Sequence, residues 1–242
     1  MEKAYKLLAG QEGISNRAAK DLIDRGVVYS GGKKVVVARG EMSGDSSFKI
    51  EKIAKIKTIF EDDFIVAVDK PAFVTSEEVA LEKKLPLLHR LDKETSGVLL
   101  LTKDDEFRKK AVDAFKKHEV LKEYIAIVEG RVAEAVTINA PIITIKKGST
   151  AHSRISSDGK EAISHIEPLM IEGKRTKVKV TIETGRTHQI RVHLKSIAAP
   201  IQGDTEYGGR PYKRMMLHAS KIELLGYSFQ SKEPEDFTRF VL

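Results

Sequence analysis

The sequence predicts an α+β protein, with a large domain built on a mainly antiparallel mixed β-sheet and flanking helices, preceded by a small α/β module. Three observations predict it. Strand-like runs follow one another without an intervening helix through most of the chain, the pattern of segregated rather than alternating elements. Beyond residue 57 only two stretches repeat their apolar residues at helical spacing. The charge is also uneven: residues 1–56 hold 11 Lys/Arg against 7 Asp/Glu, a net +4, whereas residues 57–242 hold 31 against 28, a net +3. More than half of the total +7 therefore lies in less than a quarter of the 242 residues, which divides the chain into a basic module, 1–56, and a nearly balanced domain, 57–242.

In the basic module, Ser15 is placed to cap a helix in which Ala18, Ala19, Leu22 and Ile23 form the apolar face, and Gly26 stands where a helix end favours a left-handed residue. Arg17, Lys20 and Arg25 fall on the opposite, solvent face. Val27-Val28-Tyr29, the turn Ser30-Gly31-Gly32-Lys33 and Lys34-Val35-Val36-Val37 then read as strand, turn and strand, and Phe48-Lys49-Ile50-Glu51 as a closing strand.

In the larger domain the predicted strands are 64–69, 98–102, 124–129, 162–170 and 177–183. Asp104 is expected to cap a helix reaching Lys117, with Phe107, Ala111, Val112 and Phe115 inward. Thr187 is expected to cap another reaching Ala198 and ended by Pro200. On that helix His188, Arg191 and Lys195 share one face and Ile190, Leu194 and Ile197 another.

Composition excludes several kinds of chemistry. With no cysteine, disulfides, thiolate metal sites and cysteine nucleophiles are ruled out, which fits a reducing compartment. No run of about 18 apolar residues is present, and Met1-Glu2-Lys3 does not begin a signal peptide, so a soluble cytoplasmic protein is expected. The basic balance, with a pI near 9.3, points to a polyanionic partner.

The segment 87–100, Leu-Leu-His-Arg-Leu-Asp-Lys-Glu-Thr-Ser-Gly-Val-Leu-Leu, puts Asp92 on a sharp loop between two apolar runs. Taken alone, Asp92 is equally suited to an Asx turn with the following amides. The wider pattern decides otherwise. His89-Arg90-Leu91-Asp92-x-x-Thr95-Ser96-Gly97 resembles the central motif of the RluA-type pseudouridine synthases. Lys122-x-Tyr124-x-Ala126-x-x-x-Gly130 is similar to the family's tyrosine motif, and 185–194, Gly-Arg-Thr-His-Gln-Ile-Arg-Val-His-Leu, to its third motif. Gly203-Asp204-x-x-Tyr207-Gly208-Gly209 and Leu217-His218-Ala219 extend the likeness in the expected order across residues 60–242. Two departures stand out: after Lys70-Pro71, Phe73 replaces the usual glycine with no histidine following, and the usual proline near Phe229 is missing. Both fall on loops that bear on substrate choice. Residues 3–52, through Ser15-x-Arg17-x-x-x-x-Leu22-Ile23-x-x-Gly26-x-Val28, resemble the alpha-L RNA-binding domain, with Gly31-Gly32 in place of a tight Asn-Gly turn.

The resemblance implies a pseudouridine synthase fold and the isomerisation of uridines in structured RNA, without cofactor or metal. It implies Asp92 as the initiating carboxylate, acting at the sugar, at the base, or on the ribose 2′ proton. Arg191 would keep it ionised and Tyr124 would stack on the displaced base and help remove the C5 proton. Because a stacked uridine must be extruded, Arg90 is expected to fill the vacated space and Ile190 to touch the flipped ring, with His89 and Arg186 as further substrate contacts. His188 and His193 read as structural hydrogen-bonding residues, and Arg17, Lys20, Arg25, Lys33 and Lys34 as RNA contacts of the module. The expected partner is RNA, large-subunit ribosomal RNA ahead of transfer RNA, bound by a monomer. Two rivals are weaker: a non-catalytic ribosome assembly factor, which leaves the complete Asp92, Tyr124 and Arg191 set without a purpose, and an aspartyl-phosphate enzyme suggested by Asp92-Lys93-Glu94-Thr95, which lacks a paired-aspartate motif and a Gly-rich phosphate loop.

Overall fold

The computed structural model describes residues 1–148 and 150–238. Its internal contacts separate it into two compact units, Met1–Lys55 and Ile56–Leu242.

In the first unit, β1 (Glu2–Lys3) leads into α1 (Ala4–Glu12) and α2 (Asn16–Arg25). The Ser15 hydroxyl accepts the Ala18 amide at 3.1 Å and Gly26 closes α2 in the left-handed region, as its sequence signals require. β2 (Val28–Ser30) pairs with β3 (Lys33–Lys34) and with β5 (Lys49–Ile50), and β4 (Glu41–Met42) pairs with β1. Gly31 and Gly32 both have positive φ, 55° and 76°, the backbone a two-residue hairpin turn demands. The strand expected over residues 34–37 ends at Lys34, and Val36 and Val37 are exposed. Leu8, Ala19, Ile23, Val27 and Val28 are buried, so α1 and α2 enclose a small core. The cationic face is less open than its sequence suggests. Arg17 and Lys33 are exposed, but the Arg25 guanidinium is bonded to Asp21 at 2.7 Å and the Lys20 ammonium lies 4.2 Å from the Tyr5 ring centroid.

The second unit is built on one nine-stranded sheet. In chain order its strands are β6 (Lys57–Glu61), β7 (Ile65–Lys70), β8 (Ser96–Thr102), β9 (Leu121–Glu129) and β10 (Val136–Asn139), then β13 (Ile163–Glu172), β14 (Arg175–Ile182), β15 (Leu217–Leu224) and β16 (Tyr227–Gln230). Between β10 and β13 a separate hairpin forms from β11 (Ile142–Lys147) and β12 (Thr150–Ile155). The spatial order is β10-β13-β14-β9-β15-β8-β7-β6, with β16 also beside β15. All these pairings are antiparallel except β15 with β8, so the sheet is mixed and mainly antiparallel.

Helices α3 (Ser76–Lys83), α4 (Asp105–Lys116), α5 (Gln189–Ser196) and α6 (Glu235–Thr238) complete the unit. Asp104 caps α4 through the Phe107 amide at 2.6 Å. Ala111 and Ala114, not Val112, supply its buried positions, with Phe107 and Phe115 packed alongside; Val112 is 39% exposed. Thr187 does not cap α5. His188 occupies the cap position at φ 56°, and the Gln189 side chain accepts the Arg186 amide and the Thr184 hydroxyl instead. Ile190 and Leu194 join the core formed by β9, β13 and β14, whereas α4 packs on a second core formed by β7, β8, β15 and β16. Among the described residues no buried side-chain nitrogen or oxygen lacks a hydrogen-bond partner, and no helix is long and apolar enough to cross a membrane.

The parallel seam has one strict backbone requirement. Gly97, at φ 116°, lies against Ala219, and a Cβ added there would meet the Ala219 carbonyl oxygen at 2.1 Å. Gly97→Ala should therefore lower stability by roughly 2–5 kcal/mol, combining left-handed strain with overpacking. Gly10→Ala, in α1 with open space around it, should instead raise it by about 0.5–1 kcal/mol. Urea unfolding of both variants checks the contrast.

Candidate active site

The loop carrying Asp92 is held from both sides. Its incoming arm runs back along β8: Leu88 N–H donates to the Leu100 carbonyl at 2.9 Å, and Leu100 N–H donates to His89 Nε2 at 3.2 Å. The chain turns between Asp92 and Thr95, whose amide reaches the Asp92 carbonyl at 3.1 Å. From the other side, the segment between β7 and α3 grips it. Ser76 Oγ accepts from Leu91 N–H at 2.9 Å and donates to the Leu91 carbonyl at 3.0 Å. The buried Lys70 ammonium donates to the carbonyls of Val74, Pro71 and Lys93. Burial pulls the Lys70 pKa down to about 7, against the opposing pull of the Asp92 carboxylate.

Phe73 explains one departure from the family pattern. It is buried at φ 70°, and its amide donates to the Lys93 carbonyl at 2.8 Å. A left-handed backbone is where glycine is usual, and a bulky residue held there is strained by about 1–3 kcal/mol.

The Asp92 carboxylate is partly open to solvent and faces two groups of α5 and its cap: Arg191 Nη1 at 3.5 Å and His188 Nε2 at 3.9 Å. Arg191 is itself fixed more tightly from behind. Asp204 takes Nε at 2.7 Å and Nη2 at 2.8 Å, and Glu206 takes Nη2 at 2.7 Å. With those donors occupied, Nη1 is the one aimed at Asp92. Burial opposes the charge on Arg191, but the hydrogen bonds and charge of Asp204, with Asp92 and Glu206, push its pKa above the ordinary arginine value. His188 is shifted down by burial, with Asp92 opposing the shift; its Nδ1 pairs with the Tyr207 hydroxyl at 2.8 Å.

Tyr124 on β9 lies between Val180 of β14 and Ala219 of β15. Burial, and after it the Asp92 carboxylate, raises its phenol pKa, so the phenol is protonated at neutral pH. Arg90 stands on the surface, paired with Glu77 of α3 at 2.7 Å. The other sequence candidates turn inward or away. The His89 ring accepts a backbone amide and lies 5.8 Å from the Phe115 ring; burial lowers its pKa to about 4. Ile190 is a core residue, 5% exposed. Arg186 donates to the Glu161 carbonyl at 2.8 Å. His193 bonds Ser164 and the Ala140 carbonyl, the structural role expected of it.

Sequence reasoning assigned no role to Asp204, Glu206 or Tyr207, which lie 13 to 16 positions beyond Arg191. Asp204 and Tyr207 fall inside a motif that matches the family, which is the signal that singles them out; Glu206 carries none. A second clamp was also invisible. Arg214 donates to Ser96 Oγ at 3.0 Å and pairs with Asp236 of α6 at 2.7 Å, while Ser96 Oγ meets His218 Nδ1 at 2.9 Å. The outgoing arm of the Asp92 loop is thereby tied to β15 and α6.

Asp92 thus stands on a braced loop, faced by a guanidinium whose other donors are held by Asp204 and Glu206. Comparisons with known proteins give the family. A model of the RNA pseudouridylate synthase family matches residues 65–196. An uncharacterized RNA pseudouridine synthase of Helicobacter pylori strain J99 is 54% identical over 98% of this chain and 99% of its own length. The ribosomal large subunit pseudouridine synthase D of Pseudomonas aeruginosa is 31% identical over 88% of this chain and 78% of its own. Among solved structures, the human RNA pseudouridylate synthase domain containing 1 protein superposes with a TM-score of 0.65 at 27% identity, covering 76% of this chain and 84% of that one. The chain belongs to the RNA pseudouridylate synthase family. Its activity is that of an RNA pseudouridine synthase, an isomerase.

One pH dependence follows from His89. Its folded-state pKa, about 4, lies below the ordinary 6.5, so between these values the unfolded chain binds the extra proton. The stability contributed is complete above pH 6.5 and is lost as pH falls toward 4. His89→Gln, which keeps an acceptor for the Leu100 amide, should lose roughly 2 kcal/mol less than the wild type between pH 7 and pH 4.5, as urea unfolding at the two pH values would show.

Proposed function

We propose that this protein converts selected uridines in structured RNA to pseudouridine with Asp92 as the initiating group, and that large-subunit ribosomal RNA is its substrate. The observation that carries the reading is Asp92 facing Arg191 Nη1 at 3.5 Å, with the remainder of the guanidinium fixed by Asp204 and Glu206.

The reaction breaks the bond between ribose C1′ and uracil N1 and forms one between C1′ and C5. The C5 proton leaves and N1 gains one, so there is no net redox change. Asp92 begins it from the ionised state, by attack on the sugar or the base or by taking the 2′ proton, and Arg191 offsets the desolvation of that charge when the extruded nucleotide covers the site. Tyr124 offers its ring to the displaced base and its hydroxyl to the C5 proton. Since the phenol is protonated at rest, it must release its own proton as it takes that one.

Arg90, on the exposed rim, is suited to fill the gap left in the RNA stack by laying its planar cation on neighbouring bases. Its pairing with Glu77 is a surface ion pair worth about 0–1 kcal/mol, which stacking can displace. Ile190 acts from the core, supporting the wall of the site, and His89 acts by fixing the Asp92 loop. Arg186 lies toward the edge, where it can reach phosphate.

Residues 1–56 serve as an alpha-L-type RNA-binding domain, with the exposed Arg17 and Lys33 and with Lys20, Arg25 and Lys34 as its RNA contacts. The two domains, 1–56 and 57–242, act together as a monomer in the cytoplasm, without metal or cofactor. The ribosomal preference draws support from the Pseudomonas aeruginosa relative, a ribosomal large subunit pseudouridine synthase.

Asp92→Asn should abolish pseudouridine formation in transcribed ribosomal RNA while leaving RNA affinity within about twofold, because neither phosphate contacts nor the fold depend on it. Turnover comparable to wild type would remove Asp92 from its role. In the full chain, the double variant Arg17→Gln/Lys33→Gln should weaken RNA binding and reduce the slope of log K against log salt by about 1–2; an unchanged slope excludes the N-terminal face as an RNA contact.

A further inference from the structure

We propose that His152, on the β11–β12 hairpin, is a positioning residue for uridine isomerisation: it holds Glu206 in the orientation that directs Arg191 toward Asp92. The inference rests on the synthase reading of the site and adds to it a residue from outside every motif that the chain shares with the family.

The geometry forms a relay. His152 Nδ1 meets Glu206 Oε1 at 3.0 Å, and the other carboxylate oxygen, Oε2, accepts from Arg191 Nη2 at 2.7 Å. The His152 ring lies nearly parallel to Tyr207, centroids 5.1 Å apart and planes 7° from coincidence. Arg191 Cζ lies 4.6 Å from the centroid of that same Tyr207 ring. The next residue of the hairpin, Ser153, donates its amide to the Tyr207 hydroxyl at 2.8 Å. Two consecutive residues of β12 therefore grip the short 3₁₀ turn Thr205–Tyr207, which carries both Glu206 and Tyr207.

What His152 does not do is equally informative. Its side chain is 52% exposed, so truncating it opens no cavity in the core. Yet its ring and its Nδ1 are both engaged with residues around Arg191. The group it fixes needs fixing: Glu206 is 40% exposed and, as a long carboxylate, would regain rotamer freedom at its outer oxygen without His152. Asp204 alone would still hold one edge of the guanidinium. The second contact on Nη2 is what limits its tilt, and a reacting group displaced by even a fraction of an ångström slows the chemical step.

The test uses the full-length protein and in vitro transcribed large-subunit ribosomal RNA, with single-turnover rates and RNA affinity measured separately. His152→Ala should slow pseudouridine formation about tenfold with RNA affinity and melting temperature nearly unchanged. His152→Asn, whose amide can donate to Glu206, should recover most of the rate. The double variant His152→Ala/Glu206→Gln should be no slower than Glu206→Gln alone. A wild-type rate in His152→Ala, a loss that follows weakened RNA binding instead, or multiplicative losses in the double variant would overturn the proposal. A second readout needs no turnover. The Arg191 Nε–H signal in a nitrogen-15 NMR spectrum of the RNA-free protein, assigned against Arg191→Lys, should shift or broaden in His152→Ala and return in His152→Asn; an unchanged signal also overturns it. If the wild type forms no pseudouridine in ribosomal or transfer RNA, the synthase reading fails, and this signal still decides the place of His152.

Discussion

Everything at the site depends on how one guanidinium is shared among three carboxylates. Arg191 is 8% exposed and Asp204 1% exposed, so their bidentate pair is a buried salt bridge whose formation recovers little more than its desolvation. Its importance is geometric. By occupying Nε and Nη2, with Glu206 as a second acceptor on Nη2 that limits the tilt, it orients the guanidinium plane, and Nη1 is turned to Asp92 at a looser 3.5 Å. Removing Arg191 would leave Asp204 buried without its partner, a loss of about 3–5 kcal/mol in folding. Asp92, partly exposed and without such obligations, can be altered with far less damage to the fold.

The same division between rigid support and open reactive group is repeated in the backbone. Ser76 holds the incoming half of the Asp92 loop at Leu91, Lys70 holds the residue just past Asp92, and Arg214, His218 and the Gly97 seam hold the outgoing end. None of these side chains need touch RNA. They fix where the carboxylate stands by committing nearly every polar group around it, so that motion at Asp92 requires breaking several buried hydrogen bonds together.

How much of this was legible in the sequence depended on whether the signal was local. Ser15, Gly26 and Asp104 cap as their neighbours require, and the alternating runs from 124 to 129 and 177 to 182 are strands, the second ending one residue short of its expected end. The two-residue strands β1 and β4 are too short to show a period, and β6, whose residues are all exposed, has no buried face to create one. Thr187 has the residue type of a helix cap, but His188 takes the cap position in left-handed backbone and α5 begins without a side-chain cap, which no propensity scale would show. Val112 was assigned inward by spacing, but small Ala114 allows the closer approach. Asp92 and Arg191 were found through their motifs, whereas His152 and Glu206, 54 positions apart, meet only because a hairpin folds back over the 3₁₀ turn.

Two residues show where local preference and global structure disagree. Phe73 and His188 both adopt left-handed backbone, φ 70° and 56°, though neither is glycine, and both border the Asp92 loop. Phe73 binds the Lys93 carbonyl through its amide, and the His188 ring reaches toward Asp92 itself. Strain of this kind persists only where surrounding contacts over-determine the backbone. At Phe73 they are the buried ring and the three carbonyls gathered by Lys70; at His188, the Tyr207 hydroxyl and the start of α5. Phe73 thus holds a backbone conformation that glycine adopts freely, and buries its aromatic ring there. The departure from the family pattern therefore sits directly beside the Asp92 loop, through the Phe73 amide on the Lys93 carbonyl, while Asp92 still faces Arg191 at 3.5 Å.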